Sequence, residues 1–392
     1  MRCFRLATTV TLLASAGLSI SAQTPAGVRP HHQGARAAGD LTSAFDRPPW
    51  ETPTSLACVY RLVSTLVSGC PVNGTTAVPH GGNGIIAIVN AFDYPTAGVD
   101  LTAFSRQFGL PECNASNPCF RKVYAAGIAP PVDGLWAANA SGIVEYAHAF
   151  APNATVVLVE AASAGWGDLR VAVHVANQII ATSPLGRGQV ILPFGSPESA
   201  SDSNIDPDFT SPGVVYLADS QGAPGFLEYP ALSPNVIAVG GTGIFRDSQG
   251  NFVGEPASTF WTGGTSAFWP RPAYQDGIQS IVGSKRGIPD VAFAADPLIG
   301  AVLYYDTTPF DVPPGWQFSG NTGTGLAGWA AILNRRGSTE NSTAEALATI
   351  YGDLGNASAL RDITRGQAIG VHARPGWDFL TGVGVPVSLL GN

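Results

Sequence analysis

Cys58, Cys70, Cys113 and Cys119 are the side chains whose chemistry the sequence constrains most tightly. Four thiols in a chain that opens with an export-like segment predict two disulfides. Three pairings are open; the simplest joins sequence neighbours, Cys58–Cys70 and Cys113–Cys119. Zinc fits poorly, because the spacings miss the usual ligand pattern and no histidine lies close in sequence. His148 and His174 fall in helical patterns among apolar neighbours, where packing is the expected role. Asn-X-Ser/Thr sequons at Asn73, Asn114, Asn139, Asn153, Asn341 and Asn356 would take glycans in a eukaryotic source.

The export-like segment spans 1–22. Arg2 and Arg5 precede an apolar run over 6–20, and Ser21 and Ala22 close it. Such a charged, apolar, small-residue order predicts a signal peptide, and the run is too short to span a bilayer. Cys3 would leave with it. The expected location is secreted or extracellular, or periplasmic if the source is bacterial. No later segment reads as transmembrane, so no membrane anchor is expected. Acids outnumber bases, 28 to 20, for a net charge of −8, which argues against a nucleic-acid partner. A monomer is expected.

The elements that must position any site follow from the apolar pattern. Residues 23–54 are rich in Pro, His, Arg and Gly without periodicity and read as a flexible leader. From 55 to 392 one ordered domain is expected. Unbroken apolar runs predict buried strands over 85–89, 155–160, 189–192, 213–218, 236–239 and 301–305. Helical spacing predicts helices over 99–108, 137–149, 167–181, 325–333 and 343–354. Strand runs without polar alternation, separated by helices, imply an α/β fold with a central, mostly parallel sheet flanked by helices. Sites in such a sheet form at the carboxyl ends of the strands.

Six stretches then occur in a telling order. They are Ile86–Thr96, Glu145–Ala154, Glu228–Thr242, Pro270–Gln275, Pro289–Val291 and Gly376–Gly382. Together they resemble the sedolisins, the serine-carboxyl peptidases, over about 52–389. The resemblance implies a subtilisin-like three-layer α/β fold. It also implies a chemistry: a serine attacks the peptide carbonyl, a glutamate acts as its base, an aspartate four residues on orients the glutamate, and a second aspartate sits in the oxyanion hole. Positions i and i+4 share one helix face, and carboxylate bases suit acidic pH.

Position by position, the resemblance puts Asn139 at the glutamate and Ile143 at its aspartate. Gly222 takes the oxyanion aspartate's place, with Asp219 three residues early, and Gly323 takes the serine's. Ser319 and Thr324 are hydroxyls close to 323. Glu145 is the nearest carboxylate to 139, but six residues on it points to another helix face and reads as structural. Gly263-Gly264-Thr265-Ser266 matches the serine motif as a pattern, but its Pro270–Gln275 context belongs to an upstream loop. A subtilisin-type triad would need an aspartate where Asn90 stands, and a His-Gly-Thr-His segment that the sequence lacks. Pro193 replaces a serine beside the substrate cleft and removes a backbone donor.

The resemblance further implies one structural Ca²⁺, held by Asp362, Ile363, Arg374, Gly376 and Asp378, with Arg374 in place of a glycine. Carboxylates plus carbonyl oxygens suit this hard cation. The family's long prodomain is not expected in the short stretch before residue 55. The expected function is a secreted, catalytically inactive peptidase homologue, taking a peptide or protein in its cleft. An active acidic endopeptidase using Ser266 or a shifted Asp219 is the alternative, and a structural or interaction domain is another.

Overall fold

The computed structural model describes residues 27–31, 33–38, 41, 50–220, 226–308, 310–320, 322–336 and 340–389. The expected signal segment and Gly222 lie outside them.

The chain begins with two short strands, β1 (Arg29–Pro30) and β2 (Gln33–Ala37), and helix α1 (Pro53–Val59). Then come β3 (Ile85–Ala91), α2 (Ala97–Phe108), β4 (Phe120–Tyr124), α3 (Gly134–Phe150), β5 (Thr155–Ala161) and α4 (Trp166–Ala181). The middle holds β6 (Gly188–Leu192), β7 (Phe194–Pro197), β8 (Val214–Asp219), β9 (Glu228–Tyr229) and β10 (Ile237–Thr242). A hairpin of β11 (Phe245–Arg246) and β12 (Phe252–Gly254) leads to β13 (Gly264–Pro270), α5 (Gln279–Val282), β14 (Lys285–Ile288) and β15 (Val291–Ala294). The last elements used below are β16 (Val302–Asp306), β17 (Gly315–Gly320), α6 (Thr322–Arg335) and α7 (Thr343–Gly352).

Seven strands form one parallel sheet in the order β15-β10-β8-β6-β3-β5-β4. Every residue of β3 is buried, as its unbroken Ile-Ile-Ala-Ile-Val run requires of a strand covered on both faces. Ile86, Ile88, Val156 and Leu158 face the α3 and α6 side. Ala87, Val89, Val157 and Val159 face the α4 side. Asp133 starts α3 by accepting hydrogen bonds from the Leu135 and Trp136 amides, at 3.0 and 3.1 Å. Helix α6 lies unusually close to the sheet. A Cβ on Gly328 would come within 2.7 Å of the Phe293 ring, and one on Gly325 within 3.0 Å of Phe293.

Asp290, at the turn into β15, joins three elements. Arg286 clamps it with bonds of 2.6 and 2.8 Å, the Ala238 amide donates to it, and so does the Tyr351 hydroxyl. Both charges are fully buried, so removal of either would leave the other uncompensated. The two disulfides are Cys58–Cys70 and Cys113–Cys119, with Cα separations of 5.5 and 5.0 Å.

Three sequence expectations change. Strands β4 and β15, the two sheet edges, carry no strand expectation from the sequence. Residues 302–306 form a strand as expected but outside the parallel sheet: β16 pairs antiparallel with β17, which pairs with β2. An apolar run reports burial and not the partner. The third change concerns the supposed flexible leader. Within it, β1 pairs with β7 and β2 with β17, Trp50 is buried, and α1 begins at Pro53. Main-chain pairing to an existing strand edge leaves no hydrophobic periodicity to read. Among the described residues no helix is long and apolar enough to cross a membrane.

Candidate functional site

Helix α3 reaches the carboxyl end of β6 through Asn139 and Pro193, and His31 links Pro193 to Asp219 at the end of β8. Asn139 and Ile143 stand one turn apart on α3, both buried. The Asn139 Nδ2 donates to the Pro193 carbonyl at 3.0 Å. Its Oδ1 has no hydrogen-bond partner among the described residues. Ile143 packs into the apolar core between sheet and helices. Asn90 ends β3, with Nδ2 donating to the Ala91 carbonyl. Phe92, just beyond, has φ of 62°, a strained value for an aromatic residue.

Gly323 lies in the first turn of α6, where β17 hands over to the helix. The neighbouring Thr324 hydroxyl is buried and has no partner among the described residues. Asp219, at the end of β8, is buried and meets His31 Nδ1. The other ring nitrogen of His31 meets Glu228 Oε2 at 2.5 Å, and Arg29 Nη2 meets Glu228 Oε1 at 2.6 Å. The His31 amide also donates to the Pro193 carbonyl, at 3.4 Å. One carbonyl is therefore shared by Asn139 and a residue from the N-terminal stretch. Burial disfavours the imidazolium, but Asp219 and Glu228 outweigh it and raise the His31 pKa to about 10. Burial also penalises the Glu228 carboxylate, yet His31 and Arg29 hold it below the usual carboxylate range.

Sedolisin from Pseudomonas sp. (strain 101) is 29% identical over 189 residues, covering 43% of this chain and 31% of its own. Kumamolisin from Bacillus sp. (strain MN-32) is 28% identical over 284 residues, covering 63% and 48%. The solved structure of Pseudomonas sedolisin, a serine-carboxyl proteinase complexed with two molecules of pseudo-iodotyrostatin, superposes with a TM-score of 0.65. It is 19% identical and covers 86% of this chain and 96% of that one. This chain is similar in sequence to sedolisins and shares the subtilisin-like fold. No family model matches it. The alignments span less than half the length of either curated relative.

Around this sedolisin-like fold the other expected residues find separate places. Ser266, on β13, donates to Glu198 Oε2 at 2.7 Å and accepts from the Phe268 and Trp269 amides. Its hydroxyl is thus built into its own strand's bend. His148 Nε2 donates to the Pro111 carbonyl at 2.7 Å, and burial lowers its pKa. Its ring lies beside the Cys113–Cys119 bridge, nearer than the sequence suggested, but both sulfurs are committed to each other. His174 bonds Asp208 at the surface. The His31–Asp219–Glu228 cluster was not legible, because its members lie almost 200 residues apart and His31 stands in a stretch without pattern.

Glu145 accepts the Tyr305 amide at 3.0 Å and ties α3 to β16. Burial raises its pKa well above the carboxylate range, and Asp100 and Asp306 add to the effect. Burial likewise lifts Asp306 to about 7 and Glu160, on β5, to about 8. Unfolded carboxyls titrate near pH 4. Their contribution to folding is therefore full below about pH 4 and is lost as pH rises through about 7 to 8. Thermal unfolding across pH 4 to 8 should give a falling Tm, and Asp306→Asn should flatten the fall. An unchanged slope in that variant would contradict the assignment.

Proposed function

We propose that this protein is an exported sedolisin homologue without peptidase activity, braced by one structural calcium ion. The observation that carries the reading is Asn139. A carboxamide bonded to the Pro193 carbonyl stands where the family has its base, and an amide takes up no proton at useful pH. Ile143 cannot orient a base, and Gly323 offers no nucleophile. In subtilisin, loss of the serine alone costs about 10⁶-fold in turnover, and loss of one oxyanion donor about 10²–10³-fold. Losses in separate segments leave a cleft without chemistry. Export is supported by the Arg2–Ala22 segment and by two disulfides, which persist in oxidising compartments.

Calcium is supported by the donor set. Asp378 is buried and accepts the Arg374, Leu380 and Thr381 amides; Asp362 accepts the Gly376 amide at 2.8 Å. Neither carboxylate has an ion-pair partner among the described residues. The carbonyls of Ile363, Arg374 and Gly376 accept no hydrogen bond among them either. Two carboxylates and three carbonyl oxygens without hydrogen bonds among the described residues are the donor types that suit a hard divalent cation. The ion would neutralise the carboxylates and fix the 374–382 turn against residue 362.

Ser266 favours a second reading, active proteolysis, because it already donates to a carboxylate, that of Glu198. Its oxygen, however, is engaged by two backbone amides. Casein hydrolysis from pH 2.5 to 7 separates the two readings. Turnover at the level of buffer is expected, and cleavage abolished by Ser266→Ala would overturn the proposal. For calcium, saturation a hundredfold above Kd should stabilise the fold by about 2.7 kcal/mol over chelator. An identical Tm in calcium and in chelator would remove the ion from the account.

A further inference from the structure

Cys113, Cys119 and His148 form a group that neither the cleft nor the proposed calcium turn uses. Among the described residues it is the one place where three side chains of metal-ligating type bring their ligand atoms within 4.8 Å of one another. The sequence hides it, because His148 follows Cys113 by 35 residues. The fold closes that gap. His148 stands in the last turn of α3, and the Cys119 carbonyl accepts the Val156 amide at 2.9 Å where β4 joins the sheet beside β5.

The histidine is set up as a ligand. Its Nε2 donates to the Pro111 carbonyl at 2.7 Å, which assigns the ring proton to that nitrogen. Nδ1 keeps its lone pair and meets Cys113 Sγ at 3.9 Å. A backbone carbonyl fixing the far ring nitrogen is the usual support of a metal-bound imidazole. A tetrahedral zinc, with bonds of about 2.3 Å to sulfur and about 2.1 Å to nitrogen, keeps its ligand atoms about 3.5–3.8 Å apart. The Nδ1–Sγ spacing is already close to that. Asn117 Nδ2 donates to Cys119 Sγ at 3.4 Å, a contact that would stabilise a thiolate there. Cys119 is buried, but Cys113 is half-buried and residues 114–116 are exposed, so a reductant reaches the bridge from the Cys113 side. The Cys58–Cys70 bridge has no such histidine among the described residues.

We propose that Cys113, Cys119 and His148 are a redox-gated site for a thiophilic metal ion of the zinc class, closed in the disulfide form and opened by a low-molecular-weight thiol. The reductant's thiolate attacks Cys113 Sγ and releases Cys119 as a thiolate. A second reductant sulfur attacks the mixed disulfide, releases Cys113 and leaves as the reductant's own disulfide. Two electrons pass to the bridge, and the two cysteines take up two protons. Zinc then displaces both protons and binds two thiolates and the Nδ1 lone pair, with water in the fourth position. Two sulfurs and an imidazole select such an ion over Ca²⁺. The metal would tie α3 to the 113–119 loop in place of the bridge, whether or not the chain can hydrolyse a peptide.

The test uses the full chain reduced with a phosphine, and Co²⁺ as the probe. The reduced chain should bind one equivalent, with a sulfur-to-cobalt charge-transfer band and the d–d bands of a tetrahedral ion, and Zn²⁺ should displace it. The unreduced chain should show neither band. His148→Ala should weaken binding by about tenfold or more, since loss of even a ligand's hydrogen-bond partner costs that much. A chain with Cys58→Ser and Cys70→Ser should bind as the unaltered one does. Alkylation of the unaltered reduced chain, mapped by mass spectrometry, needs no variant: Zn²⁺ should slow modification of Cys113 and Cys119 and leave Cys58 and Cys70 unaffected. Cobalt binding without a thiolate band, an unchanged affinity in His148→Ala, or equal alkylation with and without zinc would overturn the proposal.

Discussion

The architecture turns on the close approach of α6 to a parallel sheet that is buried on both faces. Gly325 and Gly328 allow it, since even a methyl group at 328 would collide with the Phe293 ring. A helix held at that distance brings its first two turns against Val239 of β10 and Phe293 of β15. In a parallel α/β sheet the carboxyl edge is where a crevice opens. The cleft is therefore a product of packing and persists whatever side chains line it.

That separation would let the scaffold tolerate the loss of reacting groups that we propose. Helix α3 is buried along nearly its whole length, and a charged pair on it would carry a large desolvation cost. Ile143 removes that cost by joining the core, and Asn139 replaces charge with one hydrogen bond to the Pro193 carbonyl. The Asp219–Glu228 pair is balanced by His31 and Arg29. The edge of β7 is covered by β1 and that of β17 by β2.

The sequence made the central strands legible because β3, β5, β6, β8 and β10 are apolar without alternation, a pattern that only double-sided burial explains. It concealed β4, whose Arg121 and Lys122 break the run at a sheet edge, whereas β15 is an apolar run as long as 189–192 and was open to the same reading. Residues 302–306 were legible as a strand but not as antiparallel, since an apolar run does not name its neighbour. The positions 139, 143 and 323 could be found through resemblance and helix spacing, both local properties. His31 could not. Its importance comes from two carboxylates almost 200 residues away, and nothing local to it distinguishes it from His32.

The central claim is that the cleft holds no group able to attack a carbonyl. The most direct measurement is NMR of a ¹³C-labelled extended peptide aldehyde, added in excess at acidic pH to the full chain and to its His31→Ala variant. A serine or threonine nucleophile anywhere in the cleft would add to the labelled carbon and form a hemiacetal. The account predicts only the signals of free aldehyde and its hydrate in both samples; a protein-bound hemiacetal carbon in either would contradict it.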